Sequence, residues 1–112
     1  MPAGRYARAA LASLGVWDSV KDHLAQAQNV RVALAYVAHG ETPFGIVYET
    51  DAMSERKVRV VDAFPASSYP PIVYPAALTG RAGSDAEAFL AYLKSEKARA
   101  VFARLGFSGS GQ

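Results

Sequence analysis

Residues 44–48 read FGIVY, five positions almost wholly apolar and rich in strand formers. A strand that does not alternate apolar with polar side chains must be covered on both faces, which is the situation in parallel sheets flanked by helices. Helical patterns surround this run on both sides, so the fold class expected is α/β, with a mostly parallel sheet flanked by helices. Two further extended runs follow. Residues 58–64 (VRVVDAF) form the second, and residues 72–78 the third, where Pro75 argues for an edge or a lobe crossing. Parallel neighbours require crossover connections of about a dozen residues or more, and the chain offers few of them. Three strands among six or so helices leave the sheet incomplete, and the sequence reads as a piece of a larger fold.

The helices are legible from their periodicity. Behind Pro2, Ala3 and Gly4, the residues Tyr6, Ala9, Ala10, Leu11 and Leu14 recur at helical spacing, and Gly15 sits where a C-terminal cap belongs. Trp17, Val20 and Leu24 continue as a second short helix. Asn29 is a good N-cap for a third, in which Val30, Leu34, Val37 and Ala38 share one side and which ends near His39 and Gly40. A turn or short helix surrounds Asp51, Ala52 and Met53. Pro65, Pro70 and Pro71 mark a loop. Ser84 and Glu87 stand at capping-box spacing before a helix whose Ala86, Phe89, Leu90 and Leu93 form the side expected to be buried. After Ser95 a last helix carries Ala98, Val101, Phe102 and Leu105, and Gly106 ends it. The closing SGSGQ has the composition of a flexible tail.

Composition narrows the function. Of 112 residues, 51% are hydrophobic and 20% charged, so the chain can bury a core. The net charge of +2 is spread thinly, and the densest basic group, Arg56, Lys57 and Arg59, is flanked by Glu55 and Asp62. That pattern lacks the basic stripe with aromatic platforms of a nucleic-acid binder. There is no cysteine, which removes thiolate nucleophiles, thiolate metal sites and disulfides together. No run approaches the length that spans a bilayer, and no basic region leads into an apolar one as in a signal peptide. His23 and His39 fall late in helical segments, where a histidine usually interacts with the last carbonyls. No zinc-protease, nucleophile-elbow, P-loop or dinucleotide motif occurs. The chain is not expected to be an enzyme, and no cofactor or metal is expected.

Two helix starts and one tyrosine are more informative. The first amides of a helix lack intrahelical partners and carry the positive end of the dipole, so they can hold an anion without lysine or arginine. Small residues at Pro2-Ala3-Gly4 leave room for a ligand to approach one such start, and Asn29-Val30 forms another. Most helix starts bind nothing but water, and each of these is readable that way too. Tyr48 ends the FGIVY run, where ligands gather in open α/β sheets. Its hydroxyl is a candidate donor, or else the surface tip of a core tyrosine.

Taken in order, PAGRYARAAL, NVRVALAYV and GIVYETDA resemble the second half of the periplasmic molybdate-binding receptors, of the type II periplasmic binding protein fold. The segment KVRVVDAFPASSYPPIVYPAAL and the closing AFLAYLKSEKARAVFARLGF are similar to the same family's C-terminal part, so the resemblance runs from Pro2 to Phe107. It implies a site in which a tetrahedral oxyanion, molybdate or tungstate, is held between two lobes by backbone amides and neutral hydroxyls. Its donors here are the amides of Ala3 and Val30 and the hydroxyl of Tyr48. It implies residues 2–79 as most of the second lobe, residues 80–107 as C-terminal helices that pack on the first, and 108–112 as the tail. The family's other half, which supplies two serine hydroxyls from the opposite lobe, is not in this chain, so only part of the site is expected. The partners implied are the membrane permease of an ABC transporter and the N-terminal half of the receptor, and the location is the periplasm. Ala66, Ser67 and Tyr69 depart from the family pattern in a loop expected to lie away from the site. Two alternatives stand beside this reading: a lobe that receives or senses another oxyanion, and an assembly module whose uncovered strand edges pair in a homodimer or larger oligomer.

Overall fold

The computed structural model describes residues 2–109. Among them are six α-helices: α1 (Pro2–Ser13), α2 (Trp17–Val20), α3 (Val30–Ala38), α4 (Glu49–Met53), α5 (Ser84–Leu93) and α6 (Glu96–Arg104). Short 3-10 turns occupy Lys21–His23 and Ala66–Ser68. The chain divides into two compact units, Met1–Pro71 and Ile72–Gln112.

In the first unit α1 opens at Pro2, a position where proline costs no hydrogen bond because its missing amide would have had no intrahelical partner. Ala3, Ala10 and Leu11 are its buried residues. The helix packs against α2 and against the 66–68 turn. The Arg8 guanidinium lies 5.0 Å from the centre of the Trp17 ring, a cation–π contact between α1 and α2. The Tyr6 and Tyr69 rings meet edge to face at 6.4 Å. The loop carrying Ala66, Ser67 and Tyr69 therefore lies against α1, the helix that carries Ala3, not away from it. α3 packs on α4 and buries Leu34. It ends at Gly40, whose φ of 76° is the left-handed conformation that glycine adopts without strain. The Gly40 amide reaches the Val37 carbonyl at 3.0 Å and the Glu41 amide the Tyr36 carbonyl at 2.8 Å, which closes the helix with a Schellman motif.

The mostly parallel sheet expected from the sequence does not form among the described residues, none of which lies in a strand or bridge. Residues 44–48, 58–64 and 72–78 run without ladder pairing. A strand's amides and carbonyls have no partners within their own segment, so an extended run becomes a strand only beside a neighbour. Several of their apolar side chains lie at the surface, with Phe44 at 74%, Val61 at 69% and Val73 at 63% exposure, while Val47, Tyr48, Val58, Phe64 and Ile72 are half-buried. The FGIVY run does meet α3. A Cβ built on Gly45 would stand 2.7 Å from Cγ2 of Val37, so only glycine lets the backbone approach the helix this closely.

In the second unit α5 packs on α6. The N-cap of α5 is Gly83, not Ser84, and the Glu87 amide bonds to the Gly83 carbonyl at 3.1 Å. Ser84 is already helical, so the expected capping box does not form. The side expected to be buried is open too: Ala86 and Phe89 are exposed, Leu90 and Leu93 half-buried. α6 is capped by Ser95, whose Oγ accepts from the Ala98 amide at 3.2 Å. It ends at Gly106 with φ 96°, and Phe107 folds back so that its ring meets Phe102 at 6.2 Å and Tyr74 at 5.7 Å. Of the expected tail, residues 108 and 109 are irregular, and 110–112 lie outside the described residues.

Candidate functional site

The three residues singled out from the sequence all lie in the first unit. Ala3 is the second residue of α1 and is buried. Because Pro2 has no amide, the Ala3 N–H is the first donor of the described helix, and it belongs to the turn that helix geometry leaves without intrahelical partners. A twelve-residue helix stands behind it, which gives that end the positive pole of the dipole.

Val30 is the first residue of α3. Asn29 before it is extended, and its Oδ1 accepts from the Val32 amide at 3.0 Å. The cap thus satisfies the third amide of the helix and leaves the Val30 amide unclaimed by it. Tyr48 is half-buried and is the N-cap residue of α4. Its carbonyl accepts from the amides of Asp51 at 3.0 Å and Ala52 at 3.2 Å, and its own amide donates to Oδ2 of Asp51 at 3.3 Å. The backbone of Tyr48 is pinned at both its polar groups.

A second layer, missed in the sequence, joins these two positions. Arg31, next to Val30, places Nε 3.4 Å from Oδ1 of Asp51. Its Nη1 donates to Oγ of Ser54 at 3.4 Å, and Ser54 Oγ in turn donates to the Asp51 carbonyl at 2.7 Å. The structure therefore links the Val30 end of α3 to the Tyr48 end of α4. Ala3 belongs to a different packing group, α1 with α2 and the 66–68 turn. The three-residue spacing of Tyr48 and Asp51 is a capping signal that could have been read. Arg31 and Asp51 stand twenty positions apart, and no local pattern connects them.

Chemically, the arrangement offers neutral donors, beside a guanidinium whose Nε and Nη1 face Asp51 and Ser54. Groups suited to bond-making are elsewhere. His39 is the C-cap of α3, at the end opposite Val30, with Nδ1 4.0 Å from Oε1 of Glu41 and both side chains exposed. His23 is in the 21–23 turn. Among the described residues no cluster of three or more His, Asp or Glu could hold a metal ion, and no helix is long and apolar enough to cross a membrane.

The model of one family, bacterial extracellular solute-binding proteins, matches residues 1–108. The molybdate-binding protein ModA of Haemophilus influenzae is 48% identical over 109 residues, which is 96% of this chain and 43% of that protein. The molybdate-binding protein ModA of Escherichia coli is 44% identical over 109 residues, 96% of this chain and 42% of that protein. The chain spans less than half the length of these relatives.

Proposed function

We propose that this chain, which belongs to the bacterial extracellular solute-binding protein family, supplies part of a receptor site for molybdate or tungstate. The donors are the amides of Ala3 and Val30 and the hydroxyl of Tyr48. The remaining donors come from a complementary lobe, and the loaded receptor presents the anion to the permease of an ABC transporter in the periplasm. The role is binding, with no cofactor and no catalysis. The observation that best supports this is the Asn29 cap, which takes the Val32 amide and leaves Val30's, beside a Tyr48 tied to the same helix end.

Neutral donors suit this ligand. Molybdate and tungstate are dianions without a proton near neutral pH, so all four oxygens accept hydrogen bonds. An anion that keeps a proton brings a donor to a cavity of donors, and an unmatched buried polar group costs about 1–3 kcal/mol. That mismatch is how such a site rejects a protonated competitor. A melting-temperature panel with molybdate, tungstate, sulfate and phosphate tests the assignment. Ligand that binds only the folded state raises the transition; stabilisation by the first two is expected, and none by either would overturn it.

A second reading, assembly, is favoured by a separate observation. Phe44, Val60, Val61, Val73, Tyr74 and Phe89 are all exposed. Apolar area of this extent gains roughly 25 cal/mol per Å² when covered, and uncovered extended segments are templates for pairing with another chain. Self-association meets both needs.

A further inference from the structure

We infer that Asp51 is a positioning residue that sets the spacing between the Val30 amide and Tyr48, an inference that rests on the receptor reading above. Its side chain is buried, and each carboxylate oxygen has its own partner: Oδ1 is in an ion pair with Nε of Arg31 at 3.4 Å, and Oδ2 accepts from the Tyr48 amide at 3.3 Å. One residue thus grips Tyr48 itself and the immediate neighbour of Val30. Its main chain adds a third tie through Ser54, whose hydroxyl donates to the Asp51 carbonyl at 2.7 Å while lying 3.4 Å from Nη1 of Arg31. α4 has only five residues, too few to hold itself in place by helix formation alone. What fixes its start against α3 is this carboxylate.

The chemistry explains why an aspartate is needed. A carboxylate accepts on both oxygens at once, whereas an amide of the same shape accepts on one and turns a donor toward the other partner. A carboxylate beside an anion site would also repel the ligand. Arg31 offsets that charge, with Nε facing Asp51 and Nη1 donating to Ser54. Recognition is left to neutral donors whose separation Asp51 sets, and the separation selects anions by size.

Asp51→Asn, Arg31→Gln and Arg31→Lys in the full chain test this, with amide hydrogen exchange by NMR and molybdate and sulfate titrations. In Asp51→Asn, exchange at the Tyr48 amide should quicken by about tenfold or more, and in Arg31→Gln by a smaller factor, up to about fivefold, while amides in α1 keep their rates. Molybdate affinity should fall about tenfold, with the preference over sulfate narrowed, and Arg31→Lys should recover part of both changes. Unchanged Tyr48 exchange in both variants would overturn the inference. So would a uniform rise across residues 2–71, the mark of a residue that only stabilises the unit. Failure of the wild-type chain to bind molybdate would instead overturn the receptor reading, and the exchange measurements, which need no ligand, would still decide the role of Asp51.

Discussion

Arg31 and Asp51 face each other with Nε 3.4 Å from Oδ1, joining the first turn of α3 to the buried Asp51 in the first turn of α4. The partners are unequal: the Arg31 side chain is 70% exposed and that of Asp51 8%. An ion pair with one end in solvent is screened and contributes little to stability, on the order of 0–1 kcal/mol. Its value lies in geometry, because it ties the two helix ends that carry Val30 and Tyr48.

Changing Asn29 to Asp separates capping from anion binding. Both residues cap helices equally well, so the bond to the Val32 amide survives and stability should stay within about 0.5 kcal/mol. A carboxylate beside the Val30 amide, however, repels a dianion. Molybdate affinity should fall several-fold at low salt and less at high salt, where exposed charges are screened. Calorimetry at two ionic strengths, with a melting curve for each variant, checks both halves.

Replacing Tyr48 with Phe removes one hydroxyl. If that hydroxyl donates to the anion in the assembled receptor, the loss of a hydrogen bond to a charged group, roughly 1.5–3 kcal/mol, weakens binding about ten- to a hundredfold, and the melting temperature barely moves. The opposite pattern, lower stability with unchanged affinity, would remove Tyr48 from the site.

Gly45 is a packing constraint. Gly45→Ala sets a methyl 2.7 Å from Cγ2 of Val37, and the stiff β-branched side chain has little room to yield. Overpacking of this kind should destabilise the first unit by about 1–2 kcal/mol, read from denaturant curves. Adding Val37→Ala clears the contact, so the double variant should regain most of the loss, a coupling expected only for touching residues.

Self-association follows from the exposed apolar runs. Sedimentation at low micromolar concentration should show a homodimer or larger oligomer. A well-folded monomer would remove the assembly reading, and lysine at Phe44 and Val61 should shift any oligomer toward monomer.

Local signals were legible in the sequence and long-range ones were not. Asn29, Gly40, Ser95 and Gly106 mark helix ends because capping depends on atoms within about five residues, and each occupies the expected place. Ser84 was one position off because the glycine before it caps through its carbonyl alone, without a side chain to announce it. The composition of the FGIVY run demands cover, which points to a buried strand. Composition cannot supply the neighbouring strands, and Phe44 is left at the surface. Of the candidate site, the helix starts at Ala3 and Val30 were visible as backbone features. The Arg31–Asp51 tie needs a tertiary approach that no spacing encodes.

The most direct measurement is an amide-resolved NMR titration of the chain with molybdate. Shift changes that saturate and are concentrated at Ala3, Val30 and the neighbourhood of Tyr48 are expected, at an affinity well below that of a two-lobed receptor. Changes confined to the basic stretch at Arg56, Lys57 and Arg59, or none at millimolar molybdate, would contradict the assignment of these residues as oxyanion donors.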